Sequence, residues 1–119
     1  MIVILEISAF ILSKVKNTYI CIKMNKQQII ESIKVEKTYL QEHFGVEEIA
    51  LFGSYARGEE KSDSDVDILV KTKIKTLGNY FSLLDYLETK FHKKIDLVTK
   101  HSGLSERFMR MINKDIIYV

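Results

Sequence analysis

Apolar residues Ile30, Ile33, Leu40 and Phe44 recur at helical spacing, with Lys34, Glu36, Lys37 and Gln41 falling between them, and this predicts an amphipathic helix over 26–44. Asn25 supplies an N-cap oxygen, Gln28 stands where a capping box needs an amide, and Gly45 suits the C-terminal cap. The pattern then changes period. Val46 to Phe52 reads as a strand with a charged edge at Glu47 and Glu48, followed by a short helical turn from Ser54 to Arg57 that Gly58 closes. Glu59 to Ser64 is polar and loop-like. From Asp65 to Thr72 strict alternation predicts a second strand, with Asp65, Asp67 and Leu69 on one face and Val66, Ile68 and Val70 on the other. Leu77, Tyr80, Leu84, Leu87 and Phe91 predict a second amphipathic helix over 76–91. Lys94 to Thr99 is a third strand, Leu104, Phe108, Met111 and Ile112 mark a last short helix, and 115–119 is an apolar tail with the character of a short strand.

Alternating helices and strands in 119 residues describe one α/β (α+β) domain, a small mixed β-sheet covered by helices. The folded domain is expected over 24–119, with 1–23 as an extension that shows no clean period. The apolar run Met1–Leu12 contains Glu6, lacks a basic region ahead of it, and is shorter than the ~20 residues of a membrane span, so neither a signal peptide nor a transmembrane helix is expected. The lone Cys21 has no disulfide partner and no metal-ligand spacing, which fits a reducing cytoplasm. A net charge of +2 is too small to build a nucleic-acid-binding field, so direct nucleic-acid binding is not expected.

The candidate chemistry lies between the first two strands. Gly53-Ser54 directly follows the apolar run 49–52, where a glycine admits close backbone approach and the N–H groups of a starting helix bind anionic oxygens. The Ser54 hydroxyl adds a donor to a terminal phosphate, and Arg57 offers a planar cationic fork for a triphosphate. Ten residues separate Ser54 from Asp65-Val66-Asp67, and Asp96 is the single acid in the apolar third strand, an expensive place to bury a carboxylate without a cation. Acids converging on one point from adjacent strands call for a divalent cation. Magnesium suits them, because it prefers oxygen and leaves positions for water and substrate phosphates. Two such ions ~3.5–4 Å apart clamp the attacking and leaving oxygens of an in-line displacement. Asp65 and Asp67 are therefore the expected metal ligands, and Asp96 the ligand to a second ion and a base for the acceptor hydroxyl. Gly53 and Gly58 have the spacing of a Walker phosphate loop, but Glu59-Glu60 stand where that loop needs Lys and Ser or Thr, which excludes it.

Gly-Ser, ten residues, then Asp-x-Asp resembles the signature of the DNA polymerase β-like nucleotidyltransferase superfamily. The fuller form, Gly53-Ser-Tyr-Ala-Arg-Gly58 with Ser62-Asp-Ser-Asp-Val-Asp67, is similar to its minimal nucleotidyltransferase (MNT) branch. Lys94-Ile-Asp-Leu-Val98 is similar to the later catalytic strand of that family, and Met111-Ile-Asn-Lys-Asp-Ile-Ile-Tyr118 to its tail. The resemblance implies the nucleotidyltransferase fold, Gly53 and Ser54 on the triphosphate of ATP, and Asp65, Asp67 and Asp96 on magnesium. It further implies an antitoxin that transfers AMP to a tyrosine of a HEPN-domain RNase toxin and assembles with it as a hetero-oligomer in the cytoplasm. A short chain leaves no room for an acceptor-binding domain, so the acceptor is expected on a partner protein. Neutralisation by binding alone, and transfer to a small molecule or an RNA end, are the competing readings.

Elsewhere the residues read as structure. His43, His92 and His101 lack ligand spacing, Lys71, Lys73 and Lys75 form a solvated face, and the aromatic residues at helical spacing are expected in the core.

Overall fold

A computed structural model describes residues 24–61 and 64–119; the extension 1–23, with Cys21, and Ser62 and Asp63 lie outside the described residues. The elements are α1 (Lys26–Phe44), β1 (Val46–Phe52), α2 (Gly53–Arg57), β2 (Val66–Thr72), α3 (Leu77–Phe91), β3 (Ile95–Thr99), α4 (Glu106–Ile112) and β4 (Ile117–Tyr118). The four strands form one mixed sheet in the order β3-β2-β1-β4, with β2 parallel to β3 and β1 antiparallel to both β2 and β4.

Each boundary has a local cause. The Asn25 side chain accepts from Gln28 N–H while the Gln28 side chain accepts from Asn25 N–H, a complete capping box, and Gly45 ends the helix at φ 66°. Thr76 caps α3 by accepting from Asn79 N–H, and Ser105 caps α4 by accepting from Phe108 N–H. The charged pair Glu47-Glu48 is accommodated by an irregularity in the β1–β2 register between Val46 and Glu48.

Both faces of the sheet are covered, unequally. Ile29, Ile33 and Leu40 of α1 and Leu83, Leu87 and Phe91 of α3 pack against Ile49, Leu51, Val66, Ile68 and Val70 to make the main core. On the other face, α4 brings Ile112 and Phe108 over Ala50, Phe52 and Leu69, and this second cluster is much smaller. Four expectations from spacing are corrected here. Ile29 rather than Ile30 faces the core most directly, and Leu77 is 76% exposed, because the buried row of α3 runs through Leu83, Leu87 and Phe91 and leaves its first turn outside. Met111 on α4 is also exposed, and Phe81 and Tyr39 are surface aromatics rather than core. Tyr39 instead stacks on His43 and Tyr86, whose rings lie 3.8 and 4.7 Å away.

The β3 edge is closed by side chains of the helix that precedes it. Residues 94 and 100 bond β2, so the alternate groups face outward, where Tyr80 donates to the Leu97 carbonyl at 2.8 Å and Glu88 accepts from Ile95 N–H at 3.1 Å. Leu87→Ala is expected to lower unfolding free energy in urea by about 2–5 kcal/mol, and Tyr80→Phe by about 1 kcal/mol through the lost edge hydrogen bond.

Candidate active site

Alternation along β2 sends Val66, Ile68 and Val70 into the main core and leaves Asp67 and Leu69 on the face that α4 covers. The register places Asp67 opposite Phe52 on one side and opposite Asp96 on the other. Phe52 is the last residue of β1, so the turn beginning at Gly53 stands directly beside the Asp67 carboxylate.

Gly53 is required there twice over. Its φ of +74° lies in the left-handed region, and a Cβ at this position would overlap Asp67 Oδ2 and come within 2.8 Å of Cγ. The missing side chain is the seat of the carboxylate. The residue at the N-cap of α2, Phe52, makes no side-chain capping bond, so the first-turn backbone N–H groups lack that acceptor among the described residues, and Ser54 stands half-buried among them.

Asp67 titrates abnormally. Burial, then the charge of Asp96 and a hydrogen bond shared with it, then the charge of Asp65, push its carboxyl from the ordinary 3.8 up to about 6, and Arg57 opposes the shift. Asp67 and Asp96 thus form the close pair, and Asp65 stands near enough to act on Asp67 through its charge. No three side chains close into a ready metal-binding cluster among the described residues. Asp96 is exposed rather than buried, because β3 is the edge strand and α4 covers the middle of the sheet rather than this corner. Its place in an apolar run follows from alternation: Ile95 and Leu97 fill the main core while Asp96 faces the other way.

Carboxylates brought this close have the chemistry of a hard-cation site, and Asp67 and Asp96, with Asp65 beside them, fit magnesium. A divalent ion held there would offset both the burial of the Asp67 carboxylate and its repulsion by Asp96 and Asp65.

Arg57 is held close by. Its Nε donates to Glu59 Oε2 at 3.0 Å, a hydrogen bond that is the main cause of its raised pKa, and its guanidinium lies 3.8 Å from Asp115. Glu59, which rules out a Walker loop in the sequence, is the counter-charge to this arginine. Asp115 has no signal in the sequence, since only the fold brings the tail after α4 to the Gly53 turn. The Lys71 and Lys100 ammonium groups share Glu48 at 4.0 and 3.6 Å, at the far end of the same face. A cavity of about 350 Å³ lined by Val70, Thr72, Ile74, Leu83 and Thr99 also lies at that far end and contains none of the expected site residues. His43 and His92 occupy helix ends.

Two outcomes follow from the raised Asp67 pKa and the seat at Gly53. A raised carboxyl pKa means that the folded site binds its proton more tightly than the unfolded chain does. The stability it contributes is present below the ordinary carboxylate value and is lost as the pH rises through about 6. Magnesium competes with that proton, so the rise in Tm on adding it is expected to be larger at about pH 7.5 than at about pH 5, as scanning calorimetry will read. In Gly53→Ala, the displaced Asp67 is expected to remove most of the magnesium-dependent rise in Tm at the higher pH.

Comparison with known proteins agrees with this geometry. Residues 31–119 match the family described as Polymerase beta, Nucleotidyltransferase. Over 92 residues the chain is 46% identical to the protein adenylyltransferase MntA of Thermococcus cleftensis, an alignment covering 76% of this chain and 92% of that protein. A solved structure provisionally described as a minimal nucleotidyltransferase shares the fold with a TM-score of 0.68 at 28% identity, covering 81% of this chain and 97% of that one. The fold is also that of a chain in the complex of tri-AMPylated Shewanella oneidensis HEPN toxin with MNT antitoxin, with a TM-score of 0.54 at 20% identity, covering 78% of this chain and 70% of that one. No helix among the described residues is long and apolar enough to cross a membrane. The chain belongs to the Polymerase beta nucleotidyltransferase family.

Proposed function

We propose that this chain is an ATP- and magnesium-dependent protein adenylyltransferase that transfers AMP to a tyrosine hydroxyl of a cognate HEPN-domain toxin and so acts as its antitoxin. The observation that carries the reading is the Asp67–Asp96 pair seated against the side-chain-free Gly53 turn, which sets a cation site beside a phosphate site. The 46% identical relative, named a protein adenylyltransferase, supports the reaction class. The AMPylated toxin in the fold neighbour supports the acceptor class.

Each residue has a role in that reaction. The first-turn N–H groups of α2 and the Ser54 hydroxyl hold the triphosphate. Arg57, kept beside the site by Glu59 and Asp115, adds positive charge as negative charge develops on the leaving group. Asp65, Asp67 and Asp96 hold magnesium, which when bound neutralises phosphate charge and orients the reacting oxygens. The acceptor oxygen attacks the α-phosphorus, the bond from that phosphorus to the bridging oxygen of the β-phosphate breaks, and pyrophosphate leaves. Asp96, exposed at the edge of the pair, takes the hydroxyl proton.

Incubation with labelled ATP, magnesium and a cognate HEPN-domain protein is expected to label that protein. Asp65→Asn/Asp67→Asn is expected to lower the rate on the order of a hundredfold or more, because loss of metal ligands exceeds the effect of losing their outer partners. Absence of label with the wild-type protein contradicts the reading. Full neutralisation by the double variant points instead to an antitoxin that works by binding, and a label on RNA ends or small hydroxyl compounds points to another acceptor.

A further inference from the structure

The outer face of α4 carries a charged stripe that neither the fold nor the site uses. Arg107, Arg110 and Met111 project within roughly 100° of the helix circumference, away from the side that buries Phe108 and Ile112, and Lys114 follows in the turn just after the helix. All four are exposed, Met111 by 61%. None of the three cations has an ion-pair partner among the described residues, where Asp115 pairs with Arg57 and Glu48 with the two lysines at the far end.

The stripe lies on the side of the molecule from which the site is reached. α1 and α3 cover the opposite face of the sheet, so a macromolecule that presents a hydroxyl to Asp67 and Asp96 approaches over the face on which α4 lies. The stripe also ends beside the phosphate turn. Phe108 packs edge-on against Phe52 with ring centroids 6.0 Å apart, and Asp115, next after Lys114, reaches Arg57.

The chemistry of the stripe selects its occupant. Two arginines and a lysine around an exposed methionine have the make-up of a protein interface, where methionine and arginine are enriched, and unpaired cations call for carboxylates opposite them. A single-stranded nucleic acid would use an aromatic platform for its bases, and the aromatic ring of this helix, Phe108, is turned inward against Phe52. We infer that the outer face of α4 docks an acidic patch with an apolar centre on the acceptor protein, holding that protein over the Asp67–Asp96 site.

This inference rests on the reading that the acceptor is a protein, and its test separates the two. Binding of the co-expressed HEPN-domain protein is measured by calorimetry for the wild type, for Arg107→Glu/Arg110→Glu, for Met111→Asp, and for Lys34→Glu/Lys37→Glu on the opposite face. The α4 variants are expected to bind at least about tenfold more weakly, and wild-type binding is expected to weaken between about 50 and about 200 mM salt, while the α1 variant binds as wild type. Affinity for an ATP analogue with magnesium is expected to stay unchanged in all of them, which shows that they are folded. Wild-type binding by the α4 variants overturns the inference, as does equal loss in the α1 variant. It is likewise overturned if α4 charge reversal abolishes binding to a short single-stranded RNA and leaves protein binding intact. If binding depends on α4 but no AMP is transferred, the docking surface stands and the adenylyltransferase reading falls.

Discussion

The contact on which the site depends is the one between the Asp67 carboxylate and a backbone with no side chain in the way. Gly53 adopts a left-handed conformation at the end of β1, and the space a Cβ would fill is taken by the carboxylate on the neighbouring strand. Because β1 and β2 are central strands, both held by hydrogen bonds on either side, this contact is set by the sheet rather than by a loop. The parallel register with β3 then adds Asp96, and burial together with the charge of that neighbour pushes Asp67 up to about 6. A divalent cation bound between the acids would offset both effects.

The two faces of the sheet divide the work. The large core under α1 and α3 provides rigidity, while the small cluster under α4 leaves the acid-bearing corner open and carries an arginine clamp at its edge. Arg57 thereby links three separate pieces of chain: the short helix it belongs to, the Glu59 turn, and Asp115 in the tail. Such half-exposed ion pairs add little stability, so their value is in where they keep the guanidinium.

Much of this was legible before any coordinates, for physical reasons that differ from element to element. Capping residues placed the ends of α1, and the alternation around Asp67 identified the acid-bearing face, because both are rules about neighbouring residues. The sequence pattern grouped Gly53, Ser54, Asp67 and Asp96, and the fold brings the Gly53 turn, Asp67 and Asp96 together because each stands at or beside the end of a strand in one register. What stayed hidden was long-range or a matter of packing direction. Leu77 and Met111 share the spacing of buried neighbours, yet Leu77 stands in the exposed first turn of α3 and Met111 on the outer side of α4. Asp96 looked like a buried carboxylate because periodicity alone does not say that its strand is an edge. Asp115, Tyr80 and Glu88 act on residues that only the fold brings near them.

The central claim is that Asp67 and Asp96 hold a divalent ion against a triphosphate gripped by the Gly53-Ser54 turn. A crystal structure with manganese and a non-hydrolysable ATP analogue tests it most directly, because manganese is located by its anomalous scattering. The account predicts anomalous density between the Asp67 and Asp96 carboxylates, with the triphosphate against the first turn of α2. Manganese bound elsewhere, or a nucleotide whose phosphates do not touch that turn, would contradict it.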